Sequence, residues 1–293
     1  MRITQQILHR SFLRNLERIE ENINRVFEEV ASGKKITRPS DDPVSAVRIM
    51  DMKDELSVNE QCEKNIEFAI SWLNVTETAI NSLENLVNRL EEIAISMGSD
   101  NASEYARKAS AEEVRRLKEQ AFMIANTKFR GYYIFSGEKT DTPPVSLSDG
   151  EYNYQGGDPL SINLKGEEFT YSLTASEIFF TSDDNIFKLM DDLAAALEDN
   201  DSDAIRDCTG RIQKIFLQIN LKHTSIGSRT NTLENVKNRL YDRRIEISKI
   251  ISQKEDLDMA EAIPKLYIYQ TSYQALLHSF AKITSVRLFD IIT

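Results

Sequence analysis

Residues that break regular structure are scarce in this chain. Among 293 residues there are 10 Gly and 6 Pro. Five of the six Pro fall into two clusters, Pro39/Pro43 and Pro143/Pro144/Pro159, so the sequence outside them is free to be helical. Cysteine is rarer still. Cys62 and Cys208 lie far apart, fit no metal or redox spacing, and occupy helical seam positions, where a small buried hydrophobe is expected. The three histidines, His9, His223 and His278, stand alone on helical stretches. With no Gly-rich phosphate loop, nucleophile elbow or Cys/His cluster, no catalytic residue, metal ligand or cofactor site is expected. No apolar run approaches the roughly 18 residues that a membrane-spanning helix needs. The opening MRITQQILHRSFLRN has no continuous apolar stretch and no small-residue cleavage site, so a secretory signal peptide is not expected. A net charge of −11 argues against nucleic acid or an anionic membrane as partner.

What the chain does have is apolar residues at helical spacing. From about residue 4 to 31, Leu8, Phe12, Leu16, Ile19, Ile23, Val26 and Val30 recur every three or four residues, a single stripe that needs a partner. A joint follows. Ser32-Gly33 closes the helix with the residue best suited to a left-handed conformation. Lys34 and Lys35 stand beside the negative end of its dipole. Arg38 before Pro39 is biased to extended backbone, and Asp42-Pro43 reads as an N-cap followed by a first-turn proline. Asp41 and Asp42 are read as helix-capping carboxylates, with no catalytic role.

The second helix is expected from Pro43 to Met97, with a possible break at 57–60. Cys62, Ile66, Ala69, Leu73, Thr76, Ile80, Leu83, Val87, Leu90, Ala94 and Met97 alternate steps of four and three, a heptad seam, with Trp72 packed beside it. A third helix is expected over 103–128, or from Ser110, where Ser110 to Glu113 fits a capping box. The period then changes to that of strands. Tyr132 to Phe135, Tyr152/Tyr154, Leu160/Ile162/Leu164 and Phe169/Tyr171/Leu173 predict a small antiparallel β unit, too small to bury much by itself and so leaning on the helices.

Helices resume near Asp184. Asp199 to Asp203 lacks the glycine and bidentate glutamate of a calcium loop and is read as a cap for the next helix. That helix carries a seam of Ile205, Cys208, Ile212, Ile215, Ile219, Ile226, Leu233, Val236, Leu240, Ile247, Ile250 and Leu257, interrupted by Lys222, Arg229 and Arg243 where it should meet solvent or another element. Gly227 makes a local break at 225–228 plausible. The last helix, from about Ala262, carries Leu266, Tyr269, Tyr273, Leu276, Phe280, Ile283, Leu288 and Ile291, with Pro264 expected in its first turn. The fold class is therefore mainly α with a small antiparallel β insert. The divisions are 1–42 (assembly helix and joint), 43–130 (first half of a helical rod), 131–183 (β-rich insert), 184–258 (second half) and 259–293 (C-terminal assembly helix).

Four stretches carry a resemblance. SGKKITRPSDDP at 32–43 is similar to the N-terminal signature of the flagellin superfamily, in the form found in its hook–filament junction proteins. Ala125-Asn126-Thr127 with Gly131 to Gly137 resembles that group's exit from a helical hairpin into its β domain. Ile226 to Glu234 resembles its returning helix, and SVRLFDII at 285–292 its terminal Leu-Phe-Asp motif. The resemblance implies an elongated helical bundle with paired ends. It implies export through the flagellar type III channel, an extracellular location in the flagellum, and assembly as a homo-oligomeric ring. The implied partners are a second hook-associated junction protein, flagellin and an export chaperone. It also makes the terminal stripes assembly surfaces, Leu8 to Val30 on one side and Leu266, Tyr273, Leu276, Phe280, Ile283, Leu288 and Ile291 on the other. Gly33, Arg38, Pro39, Asp41, Asp42 and Pro43 become the joint to the outer domains. The alternative within the class is a flagellin-type filament subunit, against which Pro39 to Pro43 and the Phe289-Asp290 ending count.

Overall fold

A computed structural model describes residues 2–99, 101–148, 151–180 and 184–292, with the side chains of 2–6, 8 and 283–292 excepted. Its elements are α1 (Arg2–Ser32), α2 (Pro43–Met97), α3 (Glu104–Ala125), β1 (Lys128–Phe129), β2 (Tyr132–Tyr133), β3 (Val145–Ser148), β4 (Glu151–Tyr154), β5 (Ser161–Leu164), β6 (Glu167–Thr170), α4 (Ala175–Ile178), α5 (Ile186–Glu198), α6 (Ser202–Glu255) and α7 (Met259–Ile292). They form two units, one of residues 1–58 with 242–293 and one of residues 59–241.

In the 59–241 unit, α2 and α6 run antiparallel. Glu67 meets Lys237 at 2.8 Å, Glu84 meets His223 at 2.8 Å and Gln213 donates to Glu91 at 2.9 Å, so partner numbers fall on one helix as they rise on the other. The heptad seam is the reason these helices pair. Ile66, Ala69, Leu73, Ile80, Leu83, Val87, Leu90 and Ala94 are buried, as are Ile205, Ile212, Ile215, Ile219, Ile226 and Leu233. Helix α2 runs without the break considered at 57–60, and α6 runs unbroken through Gly227. The roughly 1 kcal/mol cost of a helical glycine is outweighed by burying Ile226 and Leu233 on either side of it. The three charged residues that interrupt the α6 seam each reach another element. Lys222 meets Glu177 of α4 at 3.4 Å, Arg229 donates to the Ser172 carbonyl at 2.6 Å and Arg243 meets Glu55 at 2.9 Å.

Helix α3 starts after Ser103, whose hydroxyl accepts from the Ala106 amide at 3.2 Å, so the capping box at Ser110 is interior and starts nothing. It ends at Ala125, short of the expected residue 128, because Lys128 already pairs in a strand. It packs on α5 through Lys118–Asp191 at 2.5 Å and Arg115–Glu198 at 2.6 Å. Arg107 is a feature that periodicity did not reveal. It is buried, and its five N–H donors go to the carbonyls of Met97, Ser99 and Asn200, to Asn200 Oδ1 and to Ser202 Oγ. One guanidinium thus ties the C-terminal end of α2 to the start of α6.

Among the described residues the β region forms three separate antiparallel pairs, β1–β2, β3–β4 and β5–β6, where one unit was expected. Of the expected strand 132–135 only Tyr132 and Tyr133 pair, while Ile134 and Phe135 are fully buried. Two-stranded ribbons are marginal alone, and these lean on helices. Tyr152 stacks on Phe187 of α5 at 4.5 Å, and Phe129 and Tyr171 meet buried Trp72 edge-on at 6.0 and 6.1 Å. Cys62 and Cys208 are both buried free thiols, and burial pushes the Cys208 thiol up. Asp201 Oδ1 accepts from the amides of Asp203 and Ala204, each at 3.0 Å, and so caps α6 as expected.

In the other unit, α1 pairs with α7, and among the described residues Val26, Ala46, Ile49, Ile247 and Ala262 are its buried apolar ones. Helix α7 begins three residues before the expected Ala262, which places Pro264 sixth in the helix, beyond its first turn. Asp258 caps it, with Oδ1 accepting from the Ala260 amide at 2.9 Å. Ala260 and Pro264 are both exposed, so water can satisfy the carbonyl that Pro264 leaves without its helical donor.

Candidate assembly site

The joint is built from local sequence signals and one long-range clasp. Gly33 has φ +72°, as expected of a residue that closes α1. The chain then bends through Lys34 to Asp42. The Asp41 amide donates to the Arg38 carbonyl at 3.0 Å, with Pro39 inside that turn. Asp41 does not cap α2, contrary to expectation. Its Oδ2 accepts from the amide and hydroxyl of Thr37, each at 3.1 Å, and from the Arg38 amide at 2.8 Å, closing the loop on itself. The Arg38 and Thr37 bonds hold its carboxyl below the usual range. Asp42 is the cap. Its Oδ1 accepts from the Ser45 amide at 3.1 Å, hydrogen bonding from the Ser45 side chain and then its amide lowers the carboxyl, and Pro43 is the first residue of α2. Arg38 reaches back to Glu28 of α1 at 3.0 Å.

The clasp joins this linker to the end of α6. The Lys35 amide donates to the Glu255 carbonyl at 2.6 Å, and the Leu257 amide donates to the Gly33 carbonyl at 2.9 Å, an antiparallel bridge centred on Lys34 and Asp256. Lys34, which follows the C-terminal end of α1, makes its ion pair across the clasp. Its Nζ meets Glu255 Oε1 at 2.8 Å, and Lys53 of α2 meets the same oxygen at 2.9 Å. The Glu255 side chain is 11% exposed, whereas its partners are nearly half exposed. Burial, the largest influence on that carboxyl, pushes it up, but bonds from Lys34 and Lys53 outweigh it and the net shift is downward. The Glu255 hydrogen bond raises Lys34. One signal pointed to Glu255: it lies eight residues after buried Ile247, at core spacing, where a carboxylate needs a cation.

Of the terminal stripe, Val26 is buried and Phe12, Leu16, Ile19, Ile23, Val30, Leu266, Tyr273, Leu276 and Phe280 are half-buried. The structure brings the two stripes together antiparallel. Phe12 stacks on Phe280 at 3.9 Å between ring centres, and the Tyr273 hydroxyl, read as a seam residue only, donates to Glu20 at 2.9 Å. That bond raises the Tyr273 hydroxyl above its ordinary value. Leu8, Ile283, Leu288 and Ile291 lie outside the described side chains. Among the described residues no group of three or more His, Cys, Asp or Glu could hold a metal ion.

Comparison with known proteins gives this arrangement a context. Residues 3–140 match the model of the bacterial flagellin N-terminal helical region. Over 99% of both chains, the sequence is 24% identical to flagellar hook-associated protein 3 of Escherichia coli (strain K12) and 23% identical to that of Salmonella typhimurium. A flagellin of Clostridium tyrobutyricum is 25% identical but aligns with only 62% of this chain and 48% of its own. The fold is that of solved hook-associated proteins. One from Vibrio parahaemolyticus gives a TM-score of 0.68 at 22% identity, covering 74% of this chain and all of its own. Hook-associated protein 3 of Legionella pneumophila gives 0.65 at 18% identity, covering 70% and 98%. These homologues are structural proteins of the flagellum, not enzymes.

Proposed function

We propose that this chain, a full-length homologue of flagellar hook-associated protein 3, is the structural subunit that forms the junction between hook and filament. The observation that carries this reading is the pairing of full-length similarity with a built joint. The hook-associated homologues align over 99% of both chains at 23–24% identity, whereas the flagellins align less fully, that of Clostridium tyrobutyricum over 62% of this chain and 48% of its own and that of Listeria innocua over 92% and 91% at only 20% identity. The linker that resembles the junction signature is fixed by Asp41, Asp42 and Glu255. The flagellin-type subunit is the weaker alternative.

On this reading the subunit is exported through the flagellar type III apparatus with an export chaperone and assembles as a homo-oligomeric ring. It contacts a second hook-associated protein on one side and flagellin on the other. The terminal pair α1–α7 is the inner assembly element, and the joint sets its direction relative to α2 and α6. Half-buried seam residues support this, because a one-to-one helix pair leaves apolar surface that neighbours in an assembly would cover. A deletion strain examined by negative-stain microscopy tests the reading. Hooks without filaments, and flagellin free in the medium, are expected; hooks that still carry filaments would overturn it.

A further inference from the structure

Two exposed helical faces of the first unit have no partner within the seam described above. On α2, just past the joint, Val44, Val47, Met50 and Val58 are 73%, 58%, 60% and 52% exposed. At 3.6 residues per turn they fall within an arc of about 120° that also holds Asp51 and Asp54, with Arg48 at its edge; the stripe is about 21 Å long. Buried Ala46 and Ile49 point the other way, so this face is surplus to the core. On α1, Ile7, Arg10, Leu13 and Arg14 are all exposed and share one arc, opposite the Phe12/Leu16 seam. The same arc holds exposed Glu17 with Arg18 at its edge, so residues 7–18 carry three Arg against one carboxylate, in a chain of net charge −11.

We infer that the outer face of α1 in one copy docks on the α2 face at 44–58 of a second copy. Ile7 and Leu13 lie against the valines and Met50, and Arg10 and Arg14 face Asp51 and Asp54. The two faces complement each other in charge and in apolar content, and neither complements itself. The contact is therefore heterologous, repeating from copy to copy, and closes into a ring or continues as a helical array. This rests on the reading of the chain as a self-assembling subunit and supplies the contact that reading lacks. The deletion phenotype tests the junction role and leaves this contact untouched, so either can fail alone.

The test is sedimentation velocity on the full-length chain at low and high salt, with two charge-reversed variants, Arg10→Asp/Arg14→Asp and Asp51→Arg/Asp54→Arg. All four positions are exposed, and circular dichroism checks that helix content is kept. Wild type should self-associate more weakly as salt rises, and each variant should weaken association by about tenfold or more. Mixing the two variants, or combining all four changes in one chain, should restore it. A wild type that stays monomeric to the limit of solubility overturns the inference. So do variants that associate like wild type, a mixture that does not recover, or a monomeric chain whose Asp51 and Asp54 are needed instead to bind purified flagellin.

Discussion

Replacing Glu255 by Gln should loosen the joint without unfolding the helical core. The side chain is 11% exposed and holds Lys34 and Lys53 through one oxygen, while those lysines are 46% and 48% exposed. Charge-assisted hydrogen bonds are worth about 1.5–3 kcal/mol when well shielded, but half-exposed lysines are screened, which reduces each to about 0.5–1 kcal/mol. The loss at the clasp is then about 1–2 kcal/mol. At 1.36 kcal/mol per tenfold, the Lys35 and Leu257 amides should exchange about 5- to 30-fold faster. These amides report directly, because they donate to the Glu255 and Gly33 carbonyls that form the bridge. The pH dependence has a fixed sign. The Glu255 carboxyl is lowered, so its contribution is present above the ordinary glutamate value near ~4.3 and fades as pH falls through its lower folded value. Lys34 is raised, so its contribution persists at neutral pH and fades only as pH rises through its raised value, above ~10.4. The gap between wild type and variant should therefore be flat from about pH 5 to 9 and close only as pH falls below the ordinary glutamate value near ~4.3. Hydrogen exchange at Lys35 and Leu257 that stays within about twofold of wild type would refute the clasp.

Arg107→Ala should destabilise the 59–241 unit by about 3–5 kcal/mol in denaturant titration, because it removes five hydrogen bonds from one buried cation, and Arg107→Lys should recover only part of this. Gly33→Ala should cost about 1–2 kcal/mol, read as faster exchange at Leu257, since its Cβ would meet nothing and only the positive φ is penalised. Gly137→Ala should cost more and lower the thermal midpoint measurably, because its Cβ would lie 2.3 Å from the Asp158 carbonyl oxygen and φ is also positive. Phe12→Ala and Phe280→Ala should show a coupling of about 0.5–1.5 kcal/mol in a double-mutant cycle followed by exchange in α1, the range for a stacked aromatic pair.

The parts of the fold that were legible in the sequence are those written in short-range patterns. The steps from Cys62 to Met97 repeat so regularly that the helix and its buried face followed together, and all of those residues but the partly buried Met97 are at the core. At the joint, Gly33, Pro39, Asp42 and Pro43 each carry a local conformational preference that the chain obeys. Pairings between distant residues were not legible. Glu255 finds Lys34 across 221 residues of sequence, and no spacing rule links them. Arg107 belongs to none of the apolar stripes, and the carbonyls of Met97, at the end of α2, and Asn200, just before α6, are brought to it only by folding. Strand alternation located the β segments, whereas their division into three separate pairs depends on what each packs against. Gly227 was given weight as a helix breaker because its local cost is visible in sequence, and the burial that offsets it is not.

The central claim is one of position, and immunogold labelling of intact flagella with an antibody to this chain tests it most directly. The account predicts gold confined to a single band where the hook ends and the filament begins. Label distributed along the length of the filament would contradict it and make the chain a filament subunit.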